Sequence, residues 1–222
     1  MTDSIANNEA KVEAAFSAQA KIFDAEFCNN PVIQYKRQRV RTVVETLVPQ
    51  GSSILELNCG TGEDAVYFGS RGYQVLATDL SDAMVDETHQ KIMLHELENL
   101  VTVRQLSFHN LDQLNPPGKF DLIFSNFGGL NCTGDLNNVL LYFDRLLNRG
   151  GVVTLVMMPG FCLWESLLLF KGEFKTATRR FFKFNGSAAI IEGKPFKCFY
   201  YAPSFITSRL KNQFEVELME GL

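Results

Sequence analysis

The chain has 222 residues, 46% of them hydrophobic and 21% charged, with a formal net charge of −4. That length suits one globular domain with a full core, and the acidic balance argues against indiscriminate nucleic-acid binding. No apolar run approaches the ~20 residues of a membrane span, and residues 1–13 lack the apolar stretch of a signal peptide, so a cytoplasmic location is expected.

Residues 1–10 are polar and are expected to be poorly ordered. Val12, Ala15, Phe16, Ala20 and Phe23 recur at helical spacing and predict a helix over 11–24. Pro31 opens a second, over 32–47, with Tyr35, Lys36, Arg37, Arg39 and Arg41 along it, and Pro49-Gln50-Gly51 ends it. The run Ile54-Leu55-Glu56-Leu57-Asn58-Cys59-Gly60-Thr61-Gly62 then alternates as a strand and stops in a glycine turn, and helical spacing follows at once over 64–70. Glycines let backbone approach a ligand closely, and the exposed N–H groups of the next helix favour electron-rich ligand atoms. A second strand, over 73–78, ends at Asp79, an acid placed to grip the two hydroxyls of a ribose. This reads as a nucleoside-binding βαβ unit.

Ser81 is the expected cap of a helix reaching about residue 97. A strand over 101–106, a turn at Asn115-Pro116-Pro117-Gly118, a strand over 120–126, a helix over 136–147 and an apolar strand over 152–158 complete the alternation. Strands alternating with helices predict a parallel sheet covered on both faces, with its ligand edge at the strands' C-terminal ends. Gly60, Asp79, Asn110 and Asn126 all fall at that edge. Residues 159–203 break the rhythm and read as a lid-like insertion: a helical piece over 163–171 anchored by Trp164, a basic aromatic run over 174–184, and a hairpin around Gly193-Lys194-Pro195. A helix over 204–213 and a strand over 214–218 end the chain.

The five cysteines, Cys28, Cys59, Cys132, Cys162 and Cys198, form no C-x-x-C pair and read as reduced, packed thiols with no metal site. Gly60, Gly62 and Ala65 also fit G-x-G-x-x-A, which keeps a nicotinamide- or flavin-dependent oxidoreductase in play. Glu56 ahead of the loop and the Arg149-Gly150-Gly151 turn argue against it.

Four segments in order resemble the successive motifs of class I S-adenosylmethionine-dependent methyltransferases, closest to the small-molecule branch that includes quinone-biosynthesis-type enzymes. They are Glu56 to Gly62, Ala77-Thr78-Asp79-Leu80-Ser81, Phe120-Asp121-Leu122-Ile123-Phe124-Ser125-Asn126, and Leu147-Asn148-Arg149-Gly150-Gly151. The resemblance implies an α/β, three-layer, Rossmann-like doubly wound sheet of order 3-2-1-4-5-(7)-6. The last strand is expected to be missing because the chain stops soon after the sixth, from truncation of the chain in preference to a sheet one strand short. The resemblance also implies one domain: a helical cap over 1–48, a cofactor core over 52–158, the insertion over 159–203, and a final helix and strand over 204–222.

By the same resemblance, the backbone of Gly60 and Gly62, in a loop with Cys59 and with Asn58 in place of the family's first glycine, lies under the methionine part of S-adenosylmethionine. Glu56 helps hold the ammonium group, Asp79 takes the ribose, and Leu80 with Met84 packs on adenine. Asn110 and Leu111 stand where an acid usually accepts the adenine amino group, and Asn126 faces the transferable methyl. His109, after the third strand, is the candidate general base, with Tyr35 as another.

The expected reaction is in-line methyl transfer to a small-molecule acceptor, leaving S-adenosylhomocysteine, with no nucleic-acid partner. The alternatives are a methyltransferase of tRNA or protein, or a protein that holds the cofactor without turnover.

Overall fold

The computed structural model describes residues 2–114, 119–163, 167 and 186–221. The turn expected at 115–118, Trp164 and the basic aromatic run over 174–184 lie outside the described residues. Among the described residues, no helix is long and apolar enough to cross a membrane.

The chain opens with two helices, α1 (Thr2–Phe27) and α2 (Pro31–Leu47). Asn30 caps α2: its Oδ1 accepts from the N–H groups of Val32 and Ile33, and Pro31 fills the first position, where a missing N–H costs nothing. Then come β1 (Ser53–Leu57), α3 (Glu63–Ser70), β2 (Gln74–Asp79), α4 (Asp82–Leu94), β3 (Val101–Gln105), a 3-10 turn (Phe108–Gln113) and β4 (Phe120–Ser125). Two short helices, α5 (Leu136–Leu140) and α6 (Phe143–Leu146), lead into β5 (Leu147–Leu155). Beyond it stand β6 (Ser187–Ile191), β7 (Lys194–Cys198) and α7 (Pro203–Leu210).

The five strands are parallel, as the alternating pattern predicts, and lie in the order β3-β2-β1-β4-β5 that the resemblance implies, reversing at β1/β4. Successive side chains of a strand point to opposite faces, so each strand feeds two cores. Ile54, Leu122 and Phe124 face Val40 and Val44 of α2 and Phe68 of α3, where Phe68 meets Phe124 edge-on at 5.4 Å. Leu55, Leu57 and Ile123 face Leu136, Val139 and Phe143 on the other side. The result is a three-layer α/β, Rossmann-like fold.

Several sequence expectations need correction. Residues 2–10 are helical rather than loose, because the polar residues there have partners in the body: Asn8 donates to the carbonyls of Cys132 (2.8 Å) and Lys197 (3.2 Å), and Glu9 pairs with Ser107. The helix expected over 136–147 is broken at Leu141-Tyr142. Residues 148–151 lie inside β5, which slips register between its pairings Phe120↔Leu147 and Leu122↔Val152.

The sixth strand, expected over 214–218, is not a strand. β5 is the last strand of the sheet among the described residues, and the alternating Phe214, Val216 and Leu218 do not pair with it. The tail reaches α2 instead, where Arg39 grips Glu220 with two hydrogen bonds of 2.9 and 2.7 Å. The hairpin does form: β6 and β7 pair antiparallel around Glu192 (φ 47°) and Gly193 (φ 71°), a two-residue turn with both φ values positive.

Candidate active site

At the C-terminal edge of the sheet the tips of β1, β2 and β4 converge. Leaving β1, the chain turns through Asn58 (φ 53°), Gly60 (φ 57°) and Gly62 (φ 79°), and the N–H of Gly62 closes the turn on the carbonyl of Cys59. Asn tolerates the left-handed region better than other residues with a Cβ. A Cβ on Gly62 would stand 2.6 Å from Thr88 of α4, whereas one on Gly60 would meet nothing within 4 Å. Gly62 therefore serves loop-to-helix packing, and Gly60 presents open backbone.

Asp79 joins the two loops. One carboxylate oxygen accepts from the N–H of Gly60 (2.9 Å) and the other from that of Ser81 (3.0 Å). Burial pushes its pKa from 3.8 to about 6 against the pull of those backbone donors. The N–H of Leu80 is a third, weaker backbone donor to the carboxylate, which keeps acceptor capacity for a ligand. Ser81 caps α4 by accepting from Met84 N–H at 3.1 Å.

Beneath this edge lies a buried charge cluster. Asp64 of α3 receives Arg37 at 2.8 Å and Arg41 at 2.7 Å, both from α2, and also the amide of Asn126 at 2.9 Å. Glu56 of β1 is 2% exposed, and its Oε2 has no hydrogen-bond partner among the described residues. Burial first, then repulsion from Asp64, hold its carboxyl well above the usual range despite Arg37 and Arg41. A buried acceptor left unpaired costs free energy unless a donor arrives.

Asn58 ties the glycine loop to β4: its amide donates to the carbonyl of Asn126 (3.0 Å) and its Oδ1 accepts from Ser125 (2.7 Å). The N–H of Phe127 donates to Asn126 Oδ1 at 2.8 Å, and the Arg37 guanidinium lies 4.6 Å from the Phe127 ring centroid.

α1 lies over the edge. Asp24 accepts from Thr61 of the glycine loop (2.6 Å) and pairs with Lys91 of α4 (2.6 Å), while Ser17 meets Ser81 at 2.8 Å. Val12, Ala15 and Phe16 of α1 pack with Phe196 and Cys198 of β7, Leu80 and Met158. Asp24, Cys28 and Glu63 have ligand atoms close enough for a metal, but Lys91 already stands 2.6 Å from both carboxylates. A surface depression of about 410 Å³ lined by Val48, Asp121 and Arg149 belongs to the opposite edge of the sheet and shares no residue with these clusters.

Of the residues singled out in the sequence, Glu56, Asn58, Gly60, Asp79 and Asn126 thus meet at one edge, either in direct contact or through Asp64. Leu80 is partly buried under α1, and Met84 (1% exposed) and Leu111 (0%) are interior. Cys59 is buried beside Thr88, which raises its thiol pKa. Asn110 is exposed in the 3-10 turn. His109 Nε2 pairs with Thr133 Oγ1 at 2.7 Å, and Tyr35 is 71% exposed on α2.

Sequence reasoning missed the Arg37–Arg41–Asp64 cluster, although the spacing of four puts both arginines on one helix face. It also missed Asn131, fully buried, whose side chain donates to the carbonyls of Met158 and Phe199 and accepts from Met158 N–H.

The pattern of the family described as "Methyltransferase domain" matches residues 54–151. The malonyl-[acyl-carrier protein] O-methyltransferase of Hamiltonella defensa subsp. Acyrthosiphon pisum (strain 5AT) is 27% identical over 151 residues, 66% of this chain and 51% of its own. The S-adenosyl-L-methionine-dependent Diels-Alderase iccD of Talaromyces variabilis is 28% identical over 110 residues, 49% of this chain and 37% of its own. The chain spans between 37% and 56% of the length of the curated relatives it matches. Among solved structures, the DhpI-SAH complex shares the fold at a TM-score of 0.62 and 19% identity, covering 92% of this chain and 86% of that one. Over residues 54–151 the chain is thus similar to the methyltransferase-domain family, and its strand order and glycine loop agree with that likeness.

Proposed function

We propose that the chain binds S-adenosylmethionine at the C-terminal edge of the sheet and transfers its methyl group to a small-molecule acceptor. The observation that carries this reading is Asp79, whose carboxylate is fixed at the strand tip by the N–H groups of Gly60 and Ser81 with acceptor capacity left for a ligand. The fit extends to the open space above Gly60 and to the unpaired Glu56 Oε2, which suits the ammonium end of a cationic ligand. The names of the matched methyltransferases support the same chemistry, as does the description of DhpI in complex with SAH.

When bound, the sulfonium supplies a methyl group already activated by its positive charge. The chain aligns and shields it. Asp79 accepts the ribose hydroxyls, Glu56 the ammonium, and Leu80 with Met84 forms the adenine side, next to Asn110 and Leu111. Asp64 holds Asn126 at the methyl side of the site. The described parts of 52–158 serve as the donor core, the helices over 2–47 with the hairpin of residues 187–198 as the acceptor side, and residues 203–221 close the domain. α1 and the β6–β7 hairpin roof the edge with apolar side chains, which supports a small acceptor rather than a nucleic acid.

Calorimetric titration of S-adenosylmethionine and S-adenosylhomocysteine tests the donor site. Micromolar binding that Asp79→Ala weakens at least tenfold is expected; binding of NAD or FAD instead would overturn it. One observation favours a second reading, in which the donor is held for other chemistry: the match to a protein named as an S-adenosyl-L-methionine-dependent Diels-Alderase. Failure to form S-adenosylhomocysteine with any acceptor, despite tight donor binding, would select it.

A further inference from the structure

We propose that Phe127 selects the acceptor: the outer face of its ring receives a planar oxygen nucleophile in its negatively charged form, a phenolate or enolate, and rejects cationic amines. The inference rests on the methyl-transfer reading above and deepens it.

Phe127 directly follows β4, on the turn that Asn58 staples to the donor loop. Its φ of 50° places a bulky side chain in the left-handed region, at a cost of roughly 1–2 kcal/mol, yet the ring is 42% exposed. No core packing explains an aromatic held at that cost with much of its surface open. Such strain gathers where a side chain must be presented to a ligand. The holding is specific: Asn126 Oδ1 accepts the Phe127 N–H, Asp64 accepts the Asn126 amide, and Arg37, pinned by the same Asp64, covers one face of the ring.

That arrangement sets the electronics of the open face. A guanidinium over one face draws π density toward itself and leaves the other face poorer in electrons. Asp64 is shared by two guanidiniums, so Arg37, Arg41 and Asp64 together carry an excess positive charge, and in the loaded site the donor's ammonium offsets Glu56. An electron-rich ring or enolate stacks well on such a face, and a second cation is repelled. The same field eases ionisation of an acceptor O–H, whose proton leaves to solvent. An oxygen lone pair then forms the O–CH₃ bond as the C–S bond breaks, and its electron pair stays on sulfur. The products are a methyl ether and S-adenosylhomocysteine. No side-chain base is required, which agrees with His109 being engaged by Thr133.

The test uses 7-hydroxycoumarin, a phenol whose excitation band reports its ionisation, added to protein saturated with S-adenosylhomocysteine. The expected result is binding with a gain in the phenolate band at constant pH. Phe127→Leu should weaken it roughly tenfold, the worth of one stacking contact, and leave S-adenosylhomocysteine affinity within about twofold. 1-Naphthylmethylamine, a cation at neutral pH, should bind at least about tenfold more weakly than the coumarin. Equal affinity for the two probes, absence of coumarin binding, or indifference to Phe127→Leu would each overturn the assignment of Phe127. If S-adenosylhomocysteine itself does not bind, the donor reading falls first and takes this one with it.

Discussion

Gly129 approaches Asn58 so closely that a Cβ on it would stand 2.2 Å from Asn58 Cγ. The turn after β4 therefore sits against the donor loop with no room for a side chain between them. Gly129→Ala should destabilise the protein by about 1–3 kcal/mol, the usual cost of overpacking. Asn58→Gly removes the obstructing side chain, so the double variant should recover most of that loss. Urea unfolding of the four proteins measures the coupling; additive effects would show that the two residues do not meet.

Glu56 makes the empty site costly at neutral pH. Its folded-state pKa lies well above the ordinary 4.5, so its favourable contribution is complete below pH 4.5 and is lost as pH rises through the folded value. Glu56→Gln should raise Tm by a few degrees at pH 8 and hardly at all at pH 4, and should weaken donor binding. A Tm offset independent of pH would contradict this.

Donor affinity should depend on pH through Asp79. With a pKa of about 6 in the empty protein, the carboxylate must lose a proton to accept two ribose hydroxyls below that pH. The affinity for S-adenosylhomocysteine should fall by up to about tenfold per pH unit below 6 and level off above it. Asp79→Asn should bind weakly with a shallower pH profile, as titration across pH 5–8 would reveal.

Among the described residues, Asp64 is the carboxylate partner of both Arg37 and Arg41, and it also accepts from Asn126. Asp64→Ala leaves two guanidiniums at the edge of the core without their counter-ion, and should cost about 3–5 kcal/mol in urea unfolding. Asp64→Asn keeps the shape and should cost less. A near-neutral Asp64→Ala would show that water compensates the arginines.

The donor loop was legible because its physics is local. A strand period of two, glycines at a turn and an acid at the next strand tip are all visible within some thirty residues, and Asn58 at positive φ follows from the residue type. The parallel sheet followed from alternation, and its strand order from the resemblance. What escaped the sequence depends on distant partners. Residues 2–10 look loose until Asn8 meets Lys197, and residues 214–218 look like a strand until one asks which neighbour they pair with. Arg37 and Arg41 read only as residues along a helix, because their partner Asp64 lies beyond an intervening strand and turn. Phe127 gave no signal, since its strain arises from the turn and not from its own residue type.

α1 reaches the site through Asn8, Glu9, Ser17 and Asp24, which grip the loops after β4, β3, β2 and β1 in turn. Whatever lies beneath the helix leaves only after these holds let go together. At about 1 kcal/mol net apiece, four holds keep the open form near one molecule in a thousand. Throughput would then be timed by the undocking of a helix rather than by bond-making. In that case a variant that weakens the grip would turn over faster while binding its product less tightly.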